Sequence, residues 1–204
     1  MTRIKICGIT NPDDARTAIE LGADAIGFVF APSKRRIEPE QAREIIYSIA
    51  PFVTTVGVFM DQRIQEVRRI ARRTGIDVVQ LHGVEPPSFC AALDIRVIKR
   101  ICVNHGATTE LLAHAMKRYC VSAFLLDPGA GSGNTFDWEI AQGINRPIII
   151  AGGLDPDNVG RVVRALHPYG VDVSSGVEHS PGIKKKEKIK CFIKEVRRCS
   201  LLVS

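Results

Sequence analysis

A chain of 204 residues can bury one full core, so residues 1–204 are expected to form a single domain. Hydrophobic residues make up 45% of it, yet no apolar run approaches the ~18 residues of a membrane span, and no secretory leader is expected at its start. The net charge of +6 gathers in Arg68-Arg69-Ile70-Ala71-Arg72-Arg73 and Lys184-Lys185-Lys186-Glu187-Lys188. Both clusters lack the interleaved aromatics of a nucleic-acid footprint and read as solvated helix faces.

In chain order, strand patterns fall at 3–8, 24–30, 53–59, 77–82, 96–101, 122–127, 147–151 and 171–174. The first alternates, with Arg3, Lys5 and Cys7 on one face and Ile4 and Ile6 on the other. Others are continuous apolar runs, such as Ile148-Ile149-Ile150-Ala151, which suit strands buried on both faces of a parallel sheet. Helical patterns lie between them at 12–21, 39–49, 63–74, 86–93, 107–118, 137–142, 156–167 and 186–198. Pro12, Pro39 and Pro156 suit first helical turns, Asn11 and Asp155 suit N-caps, and Gly22, Gly75 and Gly170 suit the left-handed residue after a helix. Eight β/α units without a composition break predict an α/β fold, a small single (β/α)8 TIM barrel. An open doubly wound sheet is disfavoured because no Gly-x-Gly-x-x-Gly turn follows the first strand.

In such a barrel the strand ends carry the chemistry. Cys7 ends the first strand and Asp127 the sixth, so a thiol and a carboxyl share one rim and can serve as a proton-transfer pair. Lys5, two residues before Cys7 on the same face, needs a counter-charge, and Asp172 on the neighbouring eighth strand is the candidate. A lysine beside the thiol is expected to favour its thiolate. Asp127 has a second reading, as a turn residue that hydrogen-bonds its own loop. Arg35, in the loop after strand two, can grip a carboxylate bidentately or simply be a solvated cation. His82, ending strand four, is open as a donor, a satisfied strand-end residue or a titrating base. Gly152 and Gly153 follow strand seven, and Ser175 and Gly176 follow strand eight with room for one extra turn. Together they predict a cradle for a phosphorylated small molecule. Six cysteines without Cys-x-x-Cys spacing or a paired histidine cluster predict no metal site and no disulfide framework, and instead reduced cytoplasmic thiols.

The blocks Lys5-Ile6-Cys7-Gly8-Ile9-Thr10, residues 22–30, Val56-Gly57-Val58-Phe59, Gln80-Leu81-His82-Gly83, Leu125-Leu126-Asp127, Gly152-Gly153-Leu154 and residues 171–178 closely resemble the phosphoribosylanthranilate isomerase family of tryptophan biosynthesis. The resemblance runs over essentially the whole chain. It implies a cofactor-free barrel that carries out an Amadori rearrangement, with Cys7 as base and Asp127 as acid. It further implies Arg35 at the anthranilate carboxylate, and Gly152, Gly153, Ser175 and Gly176 at the phosphate. Monomer and homodimer both fit. The chain departs from the family pattern at Arg36, at Ala130 and Asn134 in the loop after Asp127, and at Lys185, where an N-cap Asp is common. Two rival readings are the histidine-pathway isomerase, which places a carboxylate at the position of Cys7, and a non-catalytic phosphometabolite or nucleic-acid binder.

Overall fold

Eight parallel strands close into a barrel in chain order, each hydrogen-bonded to the next and the eighth to the first. The computed structural model describes residues 1–104, 106–129 and 136–201. The strands are β1 (Arg3–Cys7), β2 (Ala25–Val29), β3 (Thr54–Phe59), β4 (Val78–Leu81), β5 (Arg96–Cys102), β6 (Ala123–Asp127), β7 (Ile148–Ile150) and β8 (Gly170–Val173). Helices α1 (Pro12–Glu20), α2 (Pro39–Ser48), α3 (Ile64–Thr74), α4 (Pro87–Ala91), α5 (Thr109–Lys117), α6 (Val159–Leu166) and α7 (Lys186–Leu201) surround them.

Local chemistry sets these boundaries. Asn11 caps α1 by accepting from the Asp14 N–H at 2.8 Å, and Pro12 supplies a first-turn residue that needs no donor. Helix α3 buries Val67, Ile70, Ala71 and Thr74, while Arg69, Arg72 and Arg73 stay exposed. That is the solvated face expected of the arginine cluster. Gly75 then ends the helix at φ 74°. Helix α7 buries Ile189, Phe192, Ile193, Val196 and Cys199, a 3.6-residue stripe that covers the β8–β1 side through α6 and α1.

Two apolar layers result. The larger lies between sheet and helices and contains Phe28, Phe59, Phe124 and Phe192. The smaller fills the barrel interior with Val56, Val78, Ile98, Ala123, Leu125, Ile149 and Ala151. Small residues at the amino-terminal end of the strands, including Ala25, Ala123 and Gly170, leave an open cavity of about 460 Å³ there, at the end of the barrel opposite Cys7 and Asp127.

The structure corrects four local expectations. The segment 137–142 forms only a 3-10 turn, Trp138–Ala141, because Gly143 at φ 77° redirects the chain before a second turn closes. Helix α6 begins at Val159. Asp155 caps the turn before it, accepting from the N–H groups of Asp157 and Asn158 at 2.8 and 2.9 Å. Gly170 opens β8 rather than closing α6. His167 takes the left-handed position at φ 46°, forced there because Pro168 bars any continuation of the helix. Finally, a hairpin precedes α7: β9 (Glu178–Ser180) pairs antiparallel with β10 (Ile183–Lys184) across Pro181-Gly182, where Gly182 has φ 85°.

Candidate active site

Because all eight strands run the same way, their carboxyl ends form one rim. Cys7, Asp127 and His82, together with the loops carrying Arg35, Gly152, Gly153, Ser175 and Gly176, all lie at that rim.

At β1 the register pairs Lys5 with Asp172, and the two side chains form a buried ion pair of 2.9 Å. Burial works against the Lys5 ammonium, but Asp172 and then Cys7 overcome it and raise its pKa above the usual lysine range. Cys7 does not become the low-pKa thiol that a neighbouring lysine suggests. Burial pushes its pKa up; Lys5 pulls it down, and Asp172, which neutralises Lys5, pushes it up again.

Gly27 on β2 makes room for this pair. A Cβ there would lie 2.8 Å from Cys7 Sγ and 3.1 Å from Lys5 Nζ. Gly27→Ala is therefore expected to displace both groups, destabilising the protein by about 1–3 kcal/mol and abolishing most turnover. Thermal denaturation beside an activity assay checks this. Unchanged values for both would show that the interior has slack.

The Cys7 strand end is fixed from outside. Its carbonyl accepts from Ser174 Oγ at 3.0 Å and from Lys184 Nζ at 2.5 Å. Lys184, on the unexpected hairpin, also pairs with Glu178 at 2.8 Å. Glu178 in turn receives Arg35, through Nε at 2.8 Å and Nη2 at 2.7 Å. Burial penalises the Glu178 charge, but bonds from Arg35 and Lys184 hold its pKa below the usual range. Arg35 thus already uses one edge of its fork, and a bidentate grip on a ligand through that edge is excluded. Its Nη1 makes no hydrogen bond among the described residues, and its stem lies over Gly8, next to Cys7. Arg36 is about half exposed and pairs with Glu38 at 3.3 Å.

Asp127 makes the turn contact expected of it, its Oδ1 accepting from the Gly129 N–H at 2.7 Å, and is also buried at the rim. Burial raises its pKa, against the pull of the Gly129 N–H and of Arg100. Ala130 and Asn134 lie outside the described residues.

His82 has its pKa lowered to about 3 by burial and by the positive charge of Arg100, Lys5 and Lys99. That shift favours the neutral imidazole and disfavours the titrating-base reading; Nδ1 lies 3.4 Å from Gln80 Nε2.

The two glycine loops meet. Gly152 and Gly153 adopt φ 84° and 62°, and Asn158 Nδ2 holds the Gly153 carbonyl at 2.7 Å. A Cβ on Gly176 would overlap the Leu154 carbonyl, so the loops after β7 and β8 touch through backbone alone. Ser175–Val177 form the extra turn, whose first N–H groups have no partner within it. Lys185 stands at the start of α7, where its carbonyl accepts from the Ile189 N–H at 3.0 Å.

Sequence reading missed Gly27, Lys184 and Arg100. Only Arg100 left a signal, as a charged residue two positions after Ile98 on the inward face of a strand.

Residues 4–195 match the family described as N-(5'-phosphoribosyl)anthranilate (PRA) isomerase. A protein of that name from Pelobacter propionicus is 49% identical over 203 residues, covering 95% of each chain. The crystal structure of phosphoribosyl anthranilate isomerase from Thermus thermophilus superposes with a TM-score of 0.89 at 42% identity, over 97% of this chain and 99% of that one. A further relative, 41% identical with a TM-score of 0.86 over 97% of this chain and 100% of its own, was solved in complex with reduced 1-(o-carboxyphenylamino)-1-deoxyribulose 5-phosphate.

Proposed function

The chain belongs to the N-(5'-phosphoribosyl)anthranilate isomerase family and is an aldose–ketose isomerase of tryptophan biosynthesis; from that premise we propose that Cys7 is its general base and Asp127 its general acid. One observation carries the assignment. A thiol and a carboxyl, both buried at the same rim, sit in the field of one ion pair, since Lys5 and Asp172 act on the titration of each.

Asp127 protonates the ring oxygen of the phosphoribosyl group as its bond to C1′ breaks, which leaves an open iminium ion. The iminium acidifies C2′, and the Cys7 thiolate removes that proton. The enolamine then loses its hydroxyl proton and gains one at C1′ to give the ketone. The reaction shifts hydrogens within one molecule, and acid and base groups alone suffice for it. Gly153, Ser175 and Gly176, with Gly152 shaping the turn, hold the phosphate through backbone N–H groups, supported by the contact of the two loops. His82 lines the mouth as a neutral donor. A cytoplasmic location accords with the six free cysteines.

The substrate is fluorescent, so its enzyme-dependent loss of signal is the assay, and a protein that leaves the signal unchanged would refute the assignment. The same assay separates the two arginines. Arg35, aligned by Glu178, presents Nη1 to the anthranilate carboxylate. Losing that charge-assisted bond costs ~1.5–3 kcal/mol, so Arg35→Ala raises KM about ten- to a hundred-fold. Arg36→Ala leaves KM nearly unchanged, because its side chain is turned to Glu38. A larger defect in Arg36→Ala would transfer the contact to that residue.

A further inference from the structure

Arg100 enters the barrel from β5, two residues after Ile98 of the interior layer, and its side chain is only 10% exposed. Nη1 donates to the His82 carbonyl at 3.2 Å, and Nη2 donates to the Asp127 carbonyl at 3.4 Å and to Cys102 Sγ at 3.2 Å. Nη2 also lies 3.8 Å from Asp127 Oδ1. Nε is buried with no partner among the described residues.

Stability does not explain this side chain. An aliphatic residue would fill the position without burying a charge or leaving a donor unmade. Nor is Arg100 bonded to the carboxylate as in a close ion pair; its fork grips the backbone on either side. It ties the end of β6, which carries the acid, to the residue following β4. Its charge and the Gly129 N–H both act on Oδ1 of Asp127, while Oδ2 has no hydrogen-bond partner among the described residues. Negative charge is thereby favoured on Oδ1, and the proton on Oδ2.

We propose that Arg100 is a positioning residue for the general acid, fixing the end of β6 and directing the acidic proton of Asp127 to Oδ2. The proposal rests on the reading of Asp127 as the acid. The charged groups that act on Asp127 are Arg100 from β5, Lys5 from β1 and Asp172 from β8. Burial and Asp172 favour its protonated form; the Gly129 N–H, Arg100 and Lys5 favour the carboxylate.

The test follows the carboxyl carbon of Asp127 by ¹³C NMR, assigned as the signal absent from Asp127→Asn, in the wild type, Arg100→Met and Arg100→Lys. Fluorescence kinetics are measured alongside. In Arg100→Met the Asp127 midpoint moves upward and kcat falls about 10- to 100-fold, with KM within a few-fold. Arg100→Lys restores the charge but not the two-strand span, so the midpoint stays near wild type while kcat recovers only in part. A midpoint unmoved in Arg100→Met, or a raised KM with intact kcat, overturns the proposal. Should Arg100→Met fail to fold, a wild-type kcat in Arg100→Lys overturns it equally. Wild-type turnover in Asp127→Asn would instead remove the acid assignment itself, an outcome distinct from a failure of Arg100.

Discussion

Cys7→Ala is expected to lose turnover by at least the roughly 10²–10⁴-fold that a placed base contributes, and to fall below detection where no other group can take the C2′ proton. Affinity for a product analogue should stay within a few-fold, because phosphate and carboxylate contacts come from other loops. Cys7→Ser is the stricter control. It keeps a polar atom of similar size beside Lys5 and Gly27, yet a hydroxyl is a far poorer source of an anionic base. Both variants retain the Cys7 carbonyl, which anchors Ser174 and Lys184, so the strand end should hold. Wild-type turnover in either variant would place the base elsewhere. The pH dependence has a defined sign. Activity rises with pH as Cys7 ionises and falls as Asp127 does. Activity is therefore greatest between the two midpoints, and because burial raises the pKa of each group, both limbs of the profile lie at higher pH than for an exposed thiol and carboxyl.

Asp127→Asn should be crippled to a similar degree, on the order of 10²–10⁴-fold in kcat. The amide can keep the bond from the Gly129 N–H through its oxygen, so loop geometry survives while the transferable proton does not. KM should change little, which separates a lost proton donor from a lost binding contact. Steady-state kinetics on the fluorescent substrate provides the measurement. Near-normal kcat would move the acid role to another group, and a raised KM with normal kcat would make Asp127 a substrate contact only.

Local patterns carried the barrel. The alternation in residues 3–7 and the apolar run at 148–151 depend on neighbours in sequence, and the strands they predicted are present. Lys5 with Asp172 was also legible, since barrel closure makes β1 and β8 neighbours and a buried ammonium demands an anion. Other features depend on long-range geometry. Nothing local to Gly27 announces that Cys7 Sγ and Lys5 Nζ occupy the space above it. Lys184 sits in a run of surface-like lysines, yet its side chain is fully buried because the hairpin turns it inward onto Glu178 and the Cys7 carbonyl. Lys5 does pull the Cys7 pKa down, as expected, but burial and Asp172 outweigh it. The sequence named the cation, but not how far burial and Asp172 offset it at the sulfur.

A crystal structure of the protein with reduced 1-(o-carboxyphenylamino)-1-deoxyribulose 5-phosphate tests the central claim most directly. The account predicts the phosphate on the amides of Gly153, Ser175 and Gly176, with C2′ about 3–3.5 Å from Cys7 Sγ, a distance suited to proton abstraction. It also predicts Asp127 Oδ2 within hydrogen-bond reach of the O4′ hydroxyl. An analogue bound with C2′ turned away from Cys7, or with its phosphate off the two glycine loops, would contradict it.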